Sequence, residues 1–184
     1  MALGWFKKKG GKSSAVPSGP KVPTLSPPSK GVRVGDLLTE ESIVVFPAGQ
    51  SKDPVLSVLV ERLCRQRKLG DAARFLEKVL EREQGISTTL DTGLAVPHAR
   101  VEGLDSIAAI LGVLQQGFED PKQPDLIIRA VFLFFSPARQ ELFTRHLHLL
   151  RGASALFQPV LLEEAARCSS PAEVLKLIKS KEKP

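Results

Sequence analysis

The most constraining feature of this sequence is a run at residues 126–135 that is apolar at nearly every position. It reads LIIRAVFLFF and is rich in the aromatic and β-branched residues that favour strands. A strand with one face in water alternates apolar and polar residues, whereas a strand covered on both faces does not. The run is therefore predicted to be a central strand with packing layers on both sides, ending at Ser136 and Pro137.

The flanking segments supply elements for those layers. Apolar residues recur at helical spacing in five segments, which are 54–68, 71–84, 138–153, 159–167 and 172–181. Shorter strand-like runs occupy 42–46 and 107–114. The segment 115–125 contains Gly117, Pro121 and Pro124 and is predicted to be a loop.

A histidine follows another strand-like segment. Residues 94–96 precede Pro97, which has no N–H for a sheet ladder, so a strand entering it must stop there or lie at an edge. His98 is thereby predicted to lie at a strand end, where side chains of α/β proteins face a crevice. On these residues alone the histidine is a nucleophile, a ligand or a structural residue, and the structural interpretation is the commonest.

The residues around His98 resemble a known family. The motifs are LERE at 80–83, ST at 87–88, GLAVPHAR at 93–100, VFLFFSP at 131–137 and HL at 146–147. They are similar, in this order, to the signature of the EIIA domains of the bacterial phosphotransferase system, of the mannitol, fructose and nitrogen-regulatory type. The resemblance covers about Gly35 to Lys181 and implies a three-layer αβα sandwich around a mixed sheet of about five strands.

The resemblance also implies roles for individual residues. His98 would accept a phosphoryl group from phosphohistidine on the carrier HPr, and Arg82 would lie beside it as a fork of donors for phosphoryl oxygens or an acidic group. The helix dipole alone also explains an arginine in a last helical turn. Of the two histidines in the 138–153 helix, His146 borders the apolar stripe and His148 does not, so helical geometry and the family both select His146. Without the family, His146 is more simply a packed helix histidine.

Two further groups are candidates for phosphoryl contact. The Thr88 hydroxyl and the backbone N–H groups around Gly93 would add positioning and charge stabilisation, on which phosphoryl transfer mostly depends. The scheme requires no metal and no cofactor. The chain departs from many relatives at Thr89 and Asp91, where glycines are common, and at Ala99; Asp91 would repel a phosphoryl group if it pointed inward.

The net charge of +6 is concentrated at one end of the chain. Residues 1–33 contain seven Lys and Arg and no acid, whereas the remainder holds 19 basic and 20 acidic groups. A near-neutral remainder argues against a nucleic-acid-binding face on the domain. The tail is rich in Lys, Gly, Ser and Pro and is predicted to be a disordered linker preceding one domain at 35–181. Its Trp-Phe pair beside three lysines also suggests a weak membrane contact, a less favoured interpretation.

These features predict a cytoplasmic phosphoryl carrier. Cys64 and Cys168 lack metal spacing and fit a reducing compartment, and the sequence has neither a membrane-spanning run nor a signal-like start. After phosphorylation, the carrier acts in nitrogen or metabolic regulation, which the lack of EIIB and EIIC segments favours, or passes the group to an EIIB cysteine in sugar uptake. The main alternative is a protein-interaction module with a decayed site. A metal hydrolase is the least favoured, because no carboxylate stands at ligand spacing.

Overall fold

The structure is a computed structural model that describes Met1, residues 32–85 and residues 87–182. Almost all of the predicted tail, and with it the suggested membrane contact, lies outside the described residues. In the described part, five strands form one mixed sheet with helices on both faces, which confirms the expected α/β sandwich.

Two long strands form the middle of the sheet. β4 (Ala108–Asp120) and β5 (Gln123–Pro137) are an antiparallel hairpin, and β1 (Ile43–Phe46) pairs in parallel with β4. Two short strands, β2 (Leu94–Ala95) and β3 (His98–Val101), pair in parallel with the other side of β5. β5 therefore has neighbours on both sides, and β3 lies at an edge.

Strand β5 separates two hydrophobic clusters. Residues 130–137 are all buried, in agreement with the predicted central strand, whereas at the start of the 126–135 run Leu126 and Arg129 are half-buried and Ile127 is exposed. Phe132 and Phe134 belong to one cluster, and Leu133 and Phe135 belong to the other, as the alternation of a pleated strand requires. Each cluster is closed by a layer of helices.

The helices fall on the two faces as follows. Those that supply the first cluster are α1 (Val34–Leu37), α4 (Phe143–Leu156), α5 (Pro159–Ala166) and α6 (Pro171–Lys181). Those of the second cluster are α2 (Lys52–Arg67) and α3 (Ala72–Gln84). Short 3₁₀ turns occupy Glu40–Ser42 and Gln140–Leu142.

Helix starts follow local side-chain chemistry. The Asp71 carboxylate accepts a hydrogen bond from the backbone N–H of Ala73 at 3.0 Å, and the Ser170 hydroxyl accepts one from Glu173 at 3.3 Å. Each cap satisfies an N–H that has no partner within its helix. The helix predicted from residue 138 begins only at Phe143.

The 115–125 segment is not a loop, contrary to the sequence prediction. Both strands of the hairpin continue through it, and only residues 121 and 122 form the turn. Most of the segment is exposed and lacks the apolar side chains by which a strand is recognised in a sequence. Its backbone nevertheless pairs as part of the hairpin. Gly117, at φ +70°, lies where the register between the strands shifts, and Pro124 lies in another shifted stretch, positions where glycine and proline are tolerated in sheets.

Pro97 interrupts the edge of the sheet without ending it. β2 stops at Ala95, but the Pro97 carbonyl accepts a hydrogen bond from the Phe134 N–H at 3.2 Å, and pairing resumes at His98. His98 is consequently the first residue of β3 rather than a residue beyond a strand end, because proline lacks a donor but keeps its acceptor.

Both cysteines are free thiols. Cys64, on α2, is buried in the second cluster, and burial raises the pKa of its thiol to about 11. No helix among the described residues is long and apolar enough to cross a membrane.

Candidate active site

The ring of His98 is held on two sides. It stacks on the ring of Phe134, its register partner on β5, with centroids 5.3 Å apart and planes 10° from parallel. Its Nδ1 lies 2.8 Å from the Val96 carbonyl oxygen. A carbonyl only accepts hydrogen bonds, so Nδ1 carries the proton and the other nitrogen, Nε2, keeps its lone pair.

His146 lies against His98, as helical geometry predicted. It is 5% exposed, and its ring meets His98 edge-on at 5.2 Å between centroids. Its Nδ1 lies 2.7 Å from the hydroxyl oxygen of Ser136, the residue that follows the apolar run in β5. Phe143, one turn earlier on α4, stacks on its ring. His148 is only half-buried.

Both imidazoles are biased toward the neutral form. Burial lowers the pKa of His98, helped by the charge of Arg82 and opposed by the Val96 carbonyl and the charge of Glu83. Burial, with the charges of His98 and Arg100, lowers the pKa of His146 to about 4. At neutral pH, the site therefore holds two uncharged rings, one of them with an available nitrogen lone pair.

Arg82 is exposed in the last turn of α3. After burial, its positive charge contributes to the lowered pKa of His98, which places Arg82 in the electrostatic environment of the histidine. The structure therefore brings His98, His146 and Arg82 together, as the motifs predicted.

A buried ion pair lies behind these three residues and was missed in the sequence. The Lys52 Nζ at the start of α2 contacts the Glu83 carboxylate at 2.7 Å, and both residues are less than 9% exposed. The Thr88 hydroxyl donates to the other carboxylate oxygen of Glu83. The available signal was helical spacing, because Glu83 lies four residues after the buried Val79 and so on the buried face of α3.

The ion pair is connected to His98 through the backbone. The Thr88 carbonyl accepts a hydrogen bond from the Val96 N–H at 3.1 Å, and the carbonyl of Val96 is the group that holds the His98 ring. The charged pair is thereby linked, through Thr88, to Val96, the residue whose carbonyl sets the tautomer of His98.

The two candidate phosphoryl donors of the 87–93 segment are engaged elsewhere. The hydroxyl of Thr88 is bonded to Glu83, and the N–H of Gly93 donates to the Leu90 carbonyl at 3.0 Å. Gly93 has φ +88°, and a Cβ there would lie 2.6 Å from the Ile127 carbonyl oxygen, so this glycine serves a tight turn against β5. These hydrogen bonds do not favour the predicted phosphoryl contacts from Thr88 and Gly93.

The departures from the family pattern lie away from the reacting nitrogen. Asp91 is exposed, so it does not point into the buried histidine pair. Ala99 faces the cluster on the α2 and α3 side, whereas His98 faces the α4 side. Thr89 is buried, with a bridge to Ala95.

Arg100 is a second residue that the sequence did not single out. It follows His98 by two positions on β3, and its guanidinium lies 4.9 Å from the Phe143 ring centroid. It also donates to the carbonyls of Ala138 and Arg139 at 2.9 and 3.1 Å. The Arg139 carbonyl also accepts a hydrogen bond from the Leu142 N–H at 3.2 Å, in the 3₁₀ turn that precedes α4.

Among the described residues, no group of three or more His, Cys, Asp or Glu side chains is arranged to hold a metal ion. The chemistry that this arrangement supports is nucleophilic attack by a neutral imidazole whose tautomer and orientation are fixed by its neighbours.

Residues 36–181 match the family model for the EIIA 2 component of the phosphoenolpyruvate-dependent sugar phosphotransferase system. The chain belongs to this family, and its role is that of an EIIA component of the phosphotransferase system.

Named proteins similar to this chain come from both regulatory and sugar-specific branches. A nitrogen regulatory protein of Pseudomonas aeruginosa is 31% identical over 148 residues, covering 78% of this chain and 92% of that protein. The crystal structure of the nitrogen regulatory protein IIA-Ntr from Neisseria meningitidis has a TM-score of 0.67 and 23% identity, covering 79% of this chain and 98% of that one. Enzyme IIA for mannitol from Escherichia coli, solved in complex with phosphorylated enzyme IIB, has a TM-score of 0.62 and 21% identity over 78% of this chain and 97% of that one.

Proposed function

We propose that the protein is a phosphoryl carrier that accepts a phosphoryl group from phosphohistidine of HPr onto Nε2 of His98. The observation that carries the proposal is the 2.8 Å contact between Nδ1 of His98 and the Val96 carbonyl, which leaves Nε2 as the nucleophilic nitrogen. Stacking on Phe134 holds the ring in the same orientation before and after transfer.

The transfer exchanges one phosphorus–nitrogen bond for another. The Nε2 lone pair of His98 attacks phosphorus, the bond to the donor imidazole breaks, and its electron pair returns to that imidazole. The proton stays on Nδ1 of His98, donated to the Val96 carbonyl throughout, so no net proton transfer is needed. Lowered pKa values keep both rings neutral and therefore keep the attacking lone pair available.

His146 and Arg82 are assigned to the phosphoryl oxygens. We assign His146 the tautomer in which Nδ1 accepts from the Ser136 hydroxyl, 2.7 Å away, because this tautomer leaves an N–H on the other ring nitrogen for a phosphoryl oxygen. Arg82 supplies a positive charge from the end of α3, and electrostatic stabilisation is the larger part of phosphoryl-transfer catalysis.

The regulatory branch is the favoured one. The nitrogen regulatory protein of Pseudomonas aeruginosa aligns over 92% of its length, so the similarity extends over nearly the whole of a protein of that name. In this branch the phosphorylated and unphosphorylated forms bind a target protein differently. The second candidate, transfer onward to an EIIB cysteine, is favoured by the Escherichia coli mannitol complex of enzyme IIA with phosphorylated enzyme IIB.

The direct test is phosphate incorporation measured by intact mass at alkaline pH. The protein is incubated with phosphoenolpyruvate, enzyme I and HPr, together with the variants His98→Ala and His148→Ala. We expect one acid-labile phosphoryl group on the wild type and on His148→Ala, and none on His98→Ala. Absence of phosphate on the wild type, with HPr shown to be phosphorylated, contradicts the carrier and favours an interaction module with a decayed site.

The acceptor is identified by comparing binding partners of the wild type, His98→Ala and His98→Asp. The regulatory branch predicts that a bound target protein changes with the state of residue 98. Onward transfer predicts loss of phosphate from His98 when an EIIB protein with a free cysteine is added. Partner binding that is the same for the wild type and both residue 98 variants supports the interaction module.

A further inference from the structure

A cavity of about 340 Å³ lies at the free edge of the sheet, next to the histidine pair. It is bounded by α3 on one side and by β3 on the other, and its apolar lining comes from Leu69, Phe75 and Val101. This volume lies at the lower end of the range for small-molecule sites, which combine an apolar lining with a few polar groups.

Three cations line the cavity against a single carboxylate among its described lining residues, that of Glu102. Arg74 and Lys78 are one turn apart on the same face of α3, and Arg100 faces them from β3. None of the three forms an ion pair with another described residue. Of the described residues that line the cavity, only Glu102 is acidic.

Arg100 has unused donor capacity. One terminal nitrogen donates to two backbone carbonyls, which are neutral and leave the guanidinium charge uncompensated. Its Nε is buried and has no hydrogen-bond partner among the described residues. A guanidinium that donates only to neutral carbonyls keeps its positive charge for an anionic group in the cavity.

We propose that this cavity binds a small phosphorylated carboxylic acid. Its two anionic groups contact Arg100 on one side and the Arg74 and Lys78 pair on the other, and its carbon skeleton lies against Phe75. A ligand with two anionic ends matches cations that come from two separate elements. The near-neutral charge of residues 34–184 argues against a nucleic acid as the ligand, because backbone binding needs more extended positive charge.

Ring contacts connect the cavity to His146, which lies against the proposed phosphorylation site at His98. The Arg100 guanidinium lies 4.9 Å from Phe143, whose ring stacks on His146 at 5.9 Å between centroids. An anion bound at Arg100 therefore shifts the ring resonances of His146. The binding itself does not rest on the proposed transfer to His98, and His98→Ala is expected to retain it.

The test uses 3-phosphoglycerate as the probe for the phosphorylated carboxylic acid, with the full chain labelled with ¹⁵N. Binding is followed by amide and histidine-ring NMR shifts at about 0.15 M salt, where long-range charge effects are screened. Shifts are expected at residues 69–78 and 100–102 and at His146. Inorganic phosphate, with one anionic end, is expected to bind at least about tenfold more weakly.

Two double variants with the same change in charge distinguish specific binding in the cavity from general electrostatic attraction of the anion to the protein. Arg74→Gln with Lys78→Gln removes two cavity cations from α3 and is expected to weaken 3-phosphoglycerate roughly tenfold or more. Arg65→Gln with Arg67→Gln removes two exposed cations from α2 and is expected to change nothing. Three results would each overturn the proposal. They are equal weakening by both double variants, binding of inorganic phosphate as tight as that of 3-phosphoglycerate, and no NMR shifts at millimolar 3-phosphoglycerate.

Discussion

At the scale of single residues, the site depends on which ring nitrogens are already hydrogen-bonded. The Val96 carbonyl fixes the tautomer of His98, and Ser136 engages Nδ1 of His146. Burial then keeps both rings uncharged by lowering their pKa values. The imidazole of His98, the proposed nucleophile, is thus prepared by one carbonyl, one hydroxyl and the exclusion of water, and no carboxylate of the described residues is hydrogen-bonded to either ring.

Burial of His146 predicts acid sensitivity. The pKa of His146 is about 4 in the folded protein, against 6.5 for an unburied histidine. Between pH 6.5 and pH 4, the unfolded chain therefore binds a proton at this residue that the folded protein does not bind. Stability should fall as the pH drops from 6.5 toward 4, by up to about 3 kcal/mol from this residue. Urea unfolding at several pH values, for the wild type and His146→Gln, measures the loss.

The contribution of His146 is the difference between those two pH profiles, because the carboxylates titrate alike in both proteins. His148→Gln is the control on the same helix, since His148 is half-buried and outside the ring cluster. A His146→Gln profile parallel to that of the wild type contradicts the prediction.

Gly93 offers a second test at the residue scale. Gly93 and Gly103 both have a positive φ, of +88° and +77° respectively. A Cβ added at residue 93 would lie 2.6 Å from the Ile127 carbonyl oxygen, whereas a Cβ added at residue 103 would meet nothing within 4 Å. Gly103→Ala should cost about 1 kcal/mol, from the left-handed conformation alone. Gly93→Ala should cost clearly more in urea unfolding, and equal costs would contradict the clash.

At the scale of elements, one buried ion pair joins helices that the sequence treats separately. Lys52 opens α2 and Glu83 lies in the last turn of α3, so the pair fixes the two helices of the second cluster to each other. The hydroxyl of Thr88 extends the connection to the segment before β2, and the backbone continues it to Val96. The orientation of His98 thus depends on two helices that lie on the other face of the sheet.

Breaking this pair from one side should be costly. Glu83→Leu leaves the Lys52 ammonium buried without a partner and should lower the free energy of unfolding by about 3–5 kcal/mol. The double variant Lys52→Met with Glu83→Leu removes both charges and should regain much of that loss. Urea unfolding of the two single variants and the double variant gives the coupling, and additive costs would show that the two charges do not interact.

At the scale of the whole molecule, the two ends of the domain are joined. The Glu182 carboxylate accepts hydrogen bonds from the N–H groups of Val34 and Gly35 at 2.6 and 2.8 Å. These residues lie just outside the 36–181 span that matches the family model. The contact closes the first cluster, where α1 packs against α4 and α6.

Removal of this closure should destabilise the whole domain. Glu182→Ala leaves two helix-terminal N–H groups without their charged acceptor and should cost about 1.5–3 kcal/mol. Glu163→Ala, an exposed acid on α5 with the same change in charge, should stay within about 0.5 kcal/mol of the wild type in thermal or urea unfolding. Equal effects would contradict a specific role for Glu182.

The sequence by itself determined the elements whose signal is local, and with the family resemblance it selected His98, His146 and Arg82 as site residues, which stays a prediction. The apolar run at 126–135 required cover on both faces, and the helical spacing around His146 required burial, because hydrophobic periodicity reports directly on which side meets water. Only the tertiary structure decided the length of the β4 and β5 hairpin, the continuation of the sheet past Pro97 and the pairing of Lys52 with Glu83. The Pro97 and Lys52 contacts join groups far apart along the chain, and the outer part of the hairpin pairs through the backbone of mostly exposed residues, so no local apolar pattern records them.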